Sequence, residues 1–265
     1  YLDPLNRRFH AQPNACFKCG PEVTLIWEKA KYLRNIEAIK EAANLLAKGE
    51  VVAIKGLGGY HLACDAKNKK AVSFLRKKKD RPCKPFALMT DSLEIIEKYC
   101  YVNKKEKELL LSKERPIVIL KIKKRKPWQD VVSPQQEYLG IMLAYTPLHY
   151  ILFKFLRKKK KKPVLVMTSA NKKDSPLIYK DRDIFSLKDL SRFCLTNNRE
   201  IQNRCDDSIL RVFNAQPYIL RKARGFSPDI LDTPFKFKKE IIAVGAELKN
   251  TFSLAKDDKI ITSVY

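Results

Sequence analysis

Residues 71–89 of this chain read AVSFLRKKKDRPCKPFALM, and the order of elements in this stretch determines the fold. The apolar positions of 71–79 predict a helix, and the apolar run 86–89 predicts a strand. Pro82 and Pro85 lie between them and give the cationic segment a rigid, non-helical turn. A solvated charge run does not need this rigidity, so we interpret the turn as an anion-binding element.

Helices and strands alternate on both sides of this unit. Asn35 is expected to cap a helix that ends at Gly49, and the buried strand 51–54 leads into a glycine-rich turn. The pattern also predicts helices over 92–99, over 105–111 and from Thr146 onwards, and strands over 117–122, 163–167, 209–213, 218–220 and 241–244. Some strands follow one another without a helix, so the sheet is expected to be mixed. The sequence therefore predicts an α/β domain over about 30–230, and we interpret 229–239 as a linker.

The composition indicates a cytoplasmic protein. No stretch approaches the roughly 18 consecutive apolar residues of a membrane span. The first residues, YLDPLNRR, contain no apolar core of a secretion signal. Seven cysteines, an odd number with a single close pair, fit a reducing compartment. The chain starts without methionine and stops directly after an apparent strand, so we expect it to be an internal piece of a larger enzyme.

The net charge of +25 would favour a polyanion such as nucleotide phosphates, RNA or an anionic membrane surface. Many of the cations lie in monotonous runs, RKKKKK at 157–162 and KIKKRK at 121–126. Lysine-rich solvated faces produce the same pattern, and we favour that interpretation over a dedicated nucleic-acid surface. The placement of individual cations is therefore more informative than their number.

Two further loops follow predicted strands, at the positions where open α/β sheets bind ligands. Lys55 precedes the turn GLGG at 56–59, whose backbone amides could approach an anion, although a simple tight turn is an equal alternative. The stretch TSAN at 168–171 offers hydroxyl and amide groups to phosphate or Mg²⁺, or else caps a helix. Asp206 and Asp207 are adjacent and point apart on a strand, so they are not expected to share a metal ion.

Cys16 and Cys19 form a Cys-x-x-Cys pair in the segment CFKCG. A closed structural zinc site requires four ligands, and this pair supplies two of them. His10 is a candidate third ligand, although a loop histidine is more often only solvated. No second pair follows downstream, so the remaining ligands are expected before Tyr1.

The start of the chain, DPLNRRFHAQPNACFKCGP at 3–21, resembles the end of the zinc-finger-like region of the HypF family of hydrogenase maturation carbamoyltransferases. The following part resembles that family's YrdC-like domain in the phrases KGLGGYHLACDA at 55–66, LRKKKDRPCKPFALM at 75–89, LGIMLAYTPLHYIL at 139–152, TSAN at 168–171, NREIQNRCDDSILR at 198–211 and RKARGFSP at 221–228. The tail AVGAELKNTFSLAK at 243–256 resembles the opening of the C-terminal transfer domain. The resemblance implies a partial zinc-finger-like segment at 1–28, an open twisted mixed sheet flanked by helices at 29–230, and a linker with the first strands of the transfer domain at 231–265.

The resemblance also implies an activity and its partners. In the family, carbamoyl phosphate supplies carbamate, and the YrdC-like domain condenses carbamate with ATP to give carbamoyl-adenylate and pyrophosphate. The transfer domain then passes the carbamoyl group to a HypE-type maturation protein, as the precursor of hydrogenase cyanide ligands. The cofactors implied are ATP, Mg²⁺ and a structural Zn²⁺ with a partial site here.

The family's Lys-x-Arg and Ser-x-Asn elements correspond to Lys79-Asp80-Arg81 and Ser169-Ala170-Asn171 of this chain. The resemblance assigns the phosphates to four cations, Lys55, Lys79, Arg81 and Lys84, and phosphate or Mg²⁺ to Ser169 and Asn171. Three further cations, Arg211, Arg221 and Arg224, are candidates for the adenylate or carbamate. No covalent nucleophile is needed, so Cys64 and Cys205 are expected to be packing residues.

This chain departs from the family pattern in two phrases. The loop after TSAN reads KKDSP at 172–176 instead of LSGEP, which removes a glycine, and Ala144 replaces the proline of LPYTPLH. Two other readings stay open: a YrdC-like module that binds double-stranded RNA or tRNA, and a scaffold that no longer makes adenylate.

Overall fold

The computed structural model describes residues 2–6, 20–27, 31–173, 175–246 and 250–264. Eleven strands of these ranges form one mixed sheet in the order β11-β10-β6-β7-β5-β8-β4-β3-β9-β1-β2. The strands are β1 Val23–Trp27, β2 Lys31–Arg34, β3 Val52–Lys55, β4 Tyr60–Asp65, β5 Leu88–Thr90, β6 Ile117–Lys121, β7 Tyr138–Leu143, β8 Leu165–Ser169, β9 Phe193–Asn197, β10 Ile209–Phe213 and β11 Gln216–Arg221. Three pairs are parallel, β3 with β9, β5 with β7 and β6 with β10, so the predicted mixed sheet is confirmed.

Helices cover both faces of the sheet. They are α1 Asn35–Lys48, α2 Lys69–Lys78, α3 Leu93–Tyr99, α4 Lys104–Leu111, α5 Gln129–Val132 and α6 Pro147–Arg157, and a 3-10 helix spans Asp181–Leu187. Side chains of α1 and α6, such as Leu46 and Phe153, form one buried cluster with Ala63 of β4. The neighbouring Leu62 of β4 points to the other face, where it packs in a second cluster with Leu75 of α2. No helix in the described ranges combines the length and the apolar character that crossing a bilayer requires.

The ends of the helices explain where the sequence predictions succeed and fail. Thr146 caps α6 by accepting a hydrogen bond from the His149 amide at 3.1 Å, and Pro147 occupies the first turn, as predicted. Gly49 ends α1 in the left-handed conformation with φ 95°. The expectation that Asn35 caps α1 is wrong, because Arg34 holds the cap position. The Asn35 side chain instead accepts a hydrogen bond from the Val23 amide, which ties the helix to β1.

A second sheet follows the first along the chain. Its strands are β12 Asp229–Asp232, β13 Ile241–Val244, β14 Phe252–Lys256 and β15 Lys259–Thr262, paired antiparallel in the order β12-β15-β14-β13. The interpretation of 229–239 as a linker is therefore wrong at its start, where β12 pairs with β15. The strand predicted over 241–244 is confirmed as β13.

Candidate functional site

The glycine-rich turn and the loop after β8 lie side by side at the same end of two neighbouring central strands of the main sheet, β4 and β8. β4 runs antiparallel to β8, and His61 stands opposite Ser169. The Ala170 amide donates to the Tyr60 carbonyl at 2.8 Å, and the Tyr60 amide donates to the Ile178 carbonyl at 2.8 Å. These backbone bonds fix the loop after β8 against the start of β4.

Lys79 joins the end of α2 to this loop. Its side chain is buried, and its Nζ donates to the Ser169 carbonyl at 2.8 Å, to the Asn171 carbonyl at 2.9 Å and to Asn171 Oδ1 at 3.0 Å. The Ser169 hydroxyl also donates to Asn171 Oδ1, at 2.7 Å. These acceptors lie on the loop after β8, so the contacts fix the orientation of the ammonium against that loop.

Arg81 is held rigidly by the turn that contains it. Its guanidinium donates to the carbonyls of Lys84 and Pro85 and to Thr168 Oγ1 at 3.3 Å, and it lies 4.9 Å from the centre of the Phe86 ring. Burial, followed by the charges of Arg76 and Arg221, lowers the pKa of Arg81 to about 10. A partly desolvated cation of this kind interacts with an anion more strongly than a solvated one does.

Arg76 shapes the cationic turn and was not selected from the sequence. It donates to the carbonyls of Arg81, Pro82 and Lys84 within the turn, and to those of Val131 and Val132 in α5. Its guanidinium also stacks on Phe86 at 4.6 Å. The planar fork of arginine suits this role, because it directs several donors at fixed carbonyls at once.

The remaining predicted cations occupy different surroundings. Lys84 is exposed in the same turn. Arg221 donates to the Asp207 carbonyl at 2.8 Å, and its positive charge contributes to the lowered pKa of Arg81. Arg211 lies 4.4 Å from the Tyr138 ring centre, and Arg224 is engaged by Asp207 and by the carbonyls of Glu114 and Arg115. The structure thus brings Lys79, Arg81, Ser169 and Asn171 together, with Arg221 near Arg81.

Lys55 is buried and already has protein partners. Its Nζ contacts the Asp181 carboxylate at 2.7 Å and donates to the Asn197 carbonyl at 3.0 Å. Asp181 also accepts a hydrogen bond from the Tyr60 hydroxyl at 2.7 Å. The ion pair ties the 3-10 helix to β3, which is a structural role for a residue that the resemblance assigns to phosphates.

Close packing requires the glycines of the turn between β3 and β4. A Cβ on Gly58 would lie 2.2 Å from the Cys205 carbonyl oxygen, and one on Gly59 would lie 2.4 Å from the Leu177 side chain. The Cys205 amide donates to the Gly58 carbonyl, so the turn is pressed against the segment before β10. Of the two readings left open for this turn, the structure supports tight packing, and it places the two cysteines in packing positions, Cys64 in the core and Cys205 against Gly58.

A buried polar cluster lies beside these loops and was not predicted. Asp207 accepts hydrogen bonds from His61 Nε2 and Arg224 Nε, both at 2.9 Å, and Arg224 lies 3.8 Å from the Tyr145 ring centre. Tyr145 in turn contacts the His149 ring edge-on at 4.7 Å. Burial opposes ionisation of Asp207, but the hydrogen bond from His61 and the charge of Arg224 hold its pKa well below the usual value. Burial raises the pKa of Tyr145 and lowers that of His149 to about 3.

A groove borders the loop after β8. Its volume is about 380 Å³, and its lining includes Lys172, Ser175, Ile178, Arg182 and Asp183. Lys173 in the same loop forms an ion pair with Asp80 at 2.6 Å, so this loop is attached to the cationic turn from two sides, by Lys79 and by Lys173. Lys172, Ser175 and Pro176, which belong to the segment that departs from the family pattern, line this groove.

The fit of the implied metals differs between the two ions. Cys16, Cys19 and His10 lie outside the described residues. Within the described ranges, no group of three or more histidine, cysteine or acidic side chains could hold a metal ion. Asn171 Oδ1 already accepts from Lys79 and Ser169, and Mg²⁺ in such sites binds mainly through carboxylates and substrate phosphates. Among the described residues, Ser169 and Asn171 therefore suit a Mg²⁺ ion that arrives with ATP phosphates better than one held by protein side chains alone.

The fold and the joined loops define an α/β domain with a cationic site at a strand end. The family model Sua5_yciO_yrdC, described as "Telomere recombination", matches residues 44–223, and the model for the HypF finger matches residues 1–26. The chain belongs to the Sua5/YciO/YrdC family, in the form that occurs within HypF carbamoyltransferases.

Known relatives cover most of this chain. The carbamoyltransferase HypF of Rhodobacter capsulatus is 40% identical over 259 residues, which is 97% of this chain and 33% of that protein. The probable carbamoyltransferase HypF of Methanocaldococcus jannaschii is 40% identical over 233 residues, 86% of this chain and 29% of that protein. This chain therefore spans about a third of the length of these relatives.

This chain is also similar to solved structures of HypF proteins. Full-length HypF in the phosphate- and nucleotide-bound form is 40% identical, with a TM-score of 0.88 over 100% of this chain and 34% of that one. HypF of T. kodakarensis is 42% identical, with a TM-score of 0.90 over 100% of this chain and 34% of that one. P. abyssi Sua5, at 17% identity and a TM-score of 0.61 over 75% of this chain and 56% of that one, shares the fold alone.

Proposed function

We propose that this chain binds ATP and carbamate and forms carbamoyl-adenylate with release of pyrophosphate. The observation that carries the proposal is the junction of the Lys-x-Arg and Ser-x-Asn elements, in which Lys79 donates to Ser169 and Asn171. Arg81 follows in the same rigid turn, and Arg221 adds a further charge beside it. A cluster of oriented cations at a strand end is suited to a triphosphate.

The proposed reaction is an adenylation. A carbamate oxygen forms a bond to the α-phosphorus of ATP, the bond from that phosphorus to the bridging β-oxygen breaks, and its electron pair leaves with pyrophosphate. Negative charge accumulates on the leaving oxygens, where Mg²⁺ bound with the nucleotide would also act. Arg81 and Lys79 are fixed before the reaction, so they stabilise this charge at a low reorganisation cost. Lys84 is exposed in the same turn and is proposed to contact the outer phosphates.

The wider role is proposed from the relatives, which are named carbamoyltransferases. The chain would receive carbamate derived from carbamoyl phosphate, and the carbamoyl group would go to a HypE-type protein in hydrogenase maturation. The five free cysteines of the described ranges fit a reducing cytoplasm. We also propose the division into 1–28, 29–230 and 231–265, with Cys16 and Cys19 as zinc ligands and Arg211 and Arg224 as further contributors to ligand binding.

Pyrophosphate exchange into ATP tests the proposal, with carbamate and Mg²⁺ supplied. We expect weak exchange for the unaltered chain, because it spans about a third of its relatives. Arg81→Ala should lower exchange by about 10²-fold or more, as loss of an electrostatic stabiliser does. The matched control is Arg34→Ala. Arg34 is an exposed arginine at the end of β2, an edge strand that β3, β9 and β1 separate from β4. Exchange that survives Arg81→Ala unchanged would contradict the assignment of the site.

A further inference from the structure

Lys173 reaches from the loop after β8 to the cationic turn. It lies two residues beyond Asn171, and its Nζ donates to Asp80 Oδ2 at 2.6 Å. Asp80 is the middle residue of the Lys79-Asp80-Arg81 element. The ion pair therefore keeps a further ammonium group beside the two cations that we propose for the phosphates of ATP.

This ion pair lies at the surface. The side chains are 59% exposed for Lys173 and 69% exposed for Asp80. Exposed ion pairs contribute little to stability, because water solvates both partners and salt screens their attraction. The buried Lys79 already joins the loop to the turn by three hydrogen bonds. Lys173 can therefore leave Asp80 at a small cost, and water then solvates the carboxylate.

The conformation of Asp80 keeps its carboxylate in place. Its φ is 45°, in the left-handed region that aspartate and asparagine tolerate better than most residues with a side chain. Its amide donates to the Lys77 carbonyl at 3.1 Å, which closes the end of α2. The backbone of Asp80 is thus fixed, and the lysine is the partner that can move, because its four-carbon stem is flexible.

A phosphate is a stronger partner for this ammonium than a carboxylate is. A terminal phosphate carries about −1.5 to −2 charges at neutral pH and presents three strong acceptor oxygens, whereas a carboxylate carries a single charge. The family pattern LSGEP has serine where this chain has Lys173 in KKDSP. This chain therefore adds a cation with a flexible side chain at that place.

We propose that Lys173 moves from Asp80 to the outer phosphates of ATP when the nucleotide binds. The inference rests on the proposed function, since it names a further residue of the same ATP site. Asp80 then holds the ammonium near the site as long as no nucleotide is bound.

Titration calorimetry with ATP and Mg²⁺, without carbamate, tests this role. Lys173→Ser, which restores the residue of the family pattern, should raise the Kd of ATP about tenfold, the effect of one lost charge-assisted hydrogen bond less the cost of breaking the ion pair. AMP, which has no outer phosphates, should bind both proteins equally well. The matched control is Lys259→Ser, because Lys259 forms an ion pair of similar exposure with Asp232 in the second sheet, at 2.8 Å. This control should leave the Kd of ATP unchanged. Equal effects of the two substitutions on ATP, or an equal loss for AMP, would overturn the proposal.

Asp80→Asn separates a lysine that moves from an ion pair that stays closed. Asparagine tolerates the left-handed conformation and removes the charge that retains Lys173. ATP should then bind about two- to fivefold more tightly, by the strength of an exposed ion pair. The gain should be smaller in the Lys173→Ser background, where the carboxylate has no lysine to retain. Weaker binding after Asp80→Asn would show that the pair stays closed, and an equal gain in both backgrounds would show only a long-range effect of charge. Either result would overturn the proposal.

The titrations involve no turnover, so they are independent of the pyrophosphate exchange assay. A tenfold loss of ATP affinity in Lys173→Ser, without exchange by the unaltered chain, would contradict the proposed function and support the role of Lys173. Exchange by the unaltered chain, with an unchanged ATP affinity in Lys173→Ser, would support the proposed function and overturn the role of Lys173.

Discussion

At the scale of the residue, Lys55 in β3 and Lys79 at the end of α2, which are both buried, show how partners determine a role. Lys55 meets the carboxylate of Asp181, so its charge is compensated inside the protein. Lys79 donates to two carbonyls and an amide oxygen of the loop after β8, so its contacts join the cationic turn to that loop. The same residue type, predicted for phosphate at both positions, is therefore proposed to bind phosphate through Lys79 and to hold the 3-10 helix through Lys55.

His149 should make the stability of the fold depend on pH. Burial, and then the neighbouring His61, lowers its pKa to about 3, while Asp207 acts in the opposite direction. The unfolded chain binds a proton near the ordinary histidine pKa of about 6.5, so the contribution of His149 is fully present above that pH. It is lost as the pH falls from about 6.5 towards 3. The slope from this one group reaches about 1.4 kcal/mol per pH unit.

His149→Phe tests this prediction, because phenylalanine keeps the edge contact with Tyr145 and cannot titrate. Both ring nitrogens of His149 are buried without hydrogen bonds in the described part of the chain, so the variant should be more stable at pH 7.5 by about 1 kcal/mol. The gain should grow between pH 6.5 and 4.5 in urea unfolding experiments. Parallel stability curves for the two proteins would contradict the prediction.

At the scale of the element, the cationic turn depends on Arg76. Arg76→Lys keeps the charge but loses the fork that reaches the carbonyls of Arg81, Pro82 and Lys84. The turn should then loosen, and the half-saturating ATP concentration of pyrophosphate exchange should rise about tenfold, the equivalent of one or two hydrogen bonds. Lys77→Ala is the matched control, since Lys77 is an exposed cation one residue away. A change in melting temperature without a change in the half-saturating ATP concentration would show that Arg76 supports only the fold.

Local patterns in the sequence predicted helices and strands better than they predicted side-chain contacts between residues far apart in the chain. The helix start at Thr146-Pro147 and the strand β10 depend on neighbouring residues, and both were found from the sequence. The strand β4 was missed, because all of its residues are buried and the run YHLACD lacks the alternation of a half-exposed strand. The partners Lys55 and Asp181 are 126 residues apart, and His61 and Asp207 are 146 apart, so no local pattern marks either pair. Arg76 looked like one more cation of a run, since only the folded turn brings three carbonyls to it.

At the scale of the whole molecule, charge is spread over the surface. The chain has 54 lysines and arginines against 29 acidic residues. In the run at 157–162 five of the six cations are exposed, as are Lys121 and all four residues of 123–126 in the other run. The buried cations, by contrast, are held by named acceptors at the loops. This distribution separates a diffuse cationic surface from the oriented cations of the candidate site.

The difference between the diffuse cationic surface and the oriented cations of the candidate site predicts how the chain should bind RNA. Exposed lysines bind phosphates mainly by releasing counterions, so double-stranded RNA should bind at low salt and lose affinity by roughly 10²-fold or more between 50 and 200 mM salt. Arg81→Ala should leave that affinity unchanged, and ATP with Mg²⁺ should not compete, because the oriented cations are a small part of the surface. Filter binding across a salt series measures both effects, with duplex DNA of the same length as the comparison. Affinity that persists at physiological salt, prefers RNA and falls when ATP is added would instead place RNA at the cationic turn, and would favour the RNA-binding reading over adenylation.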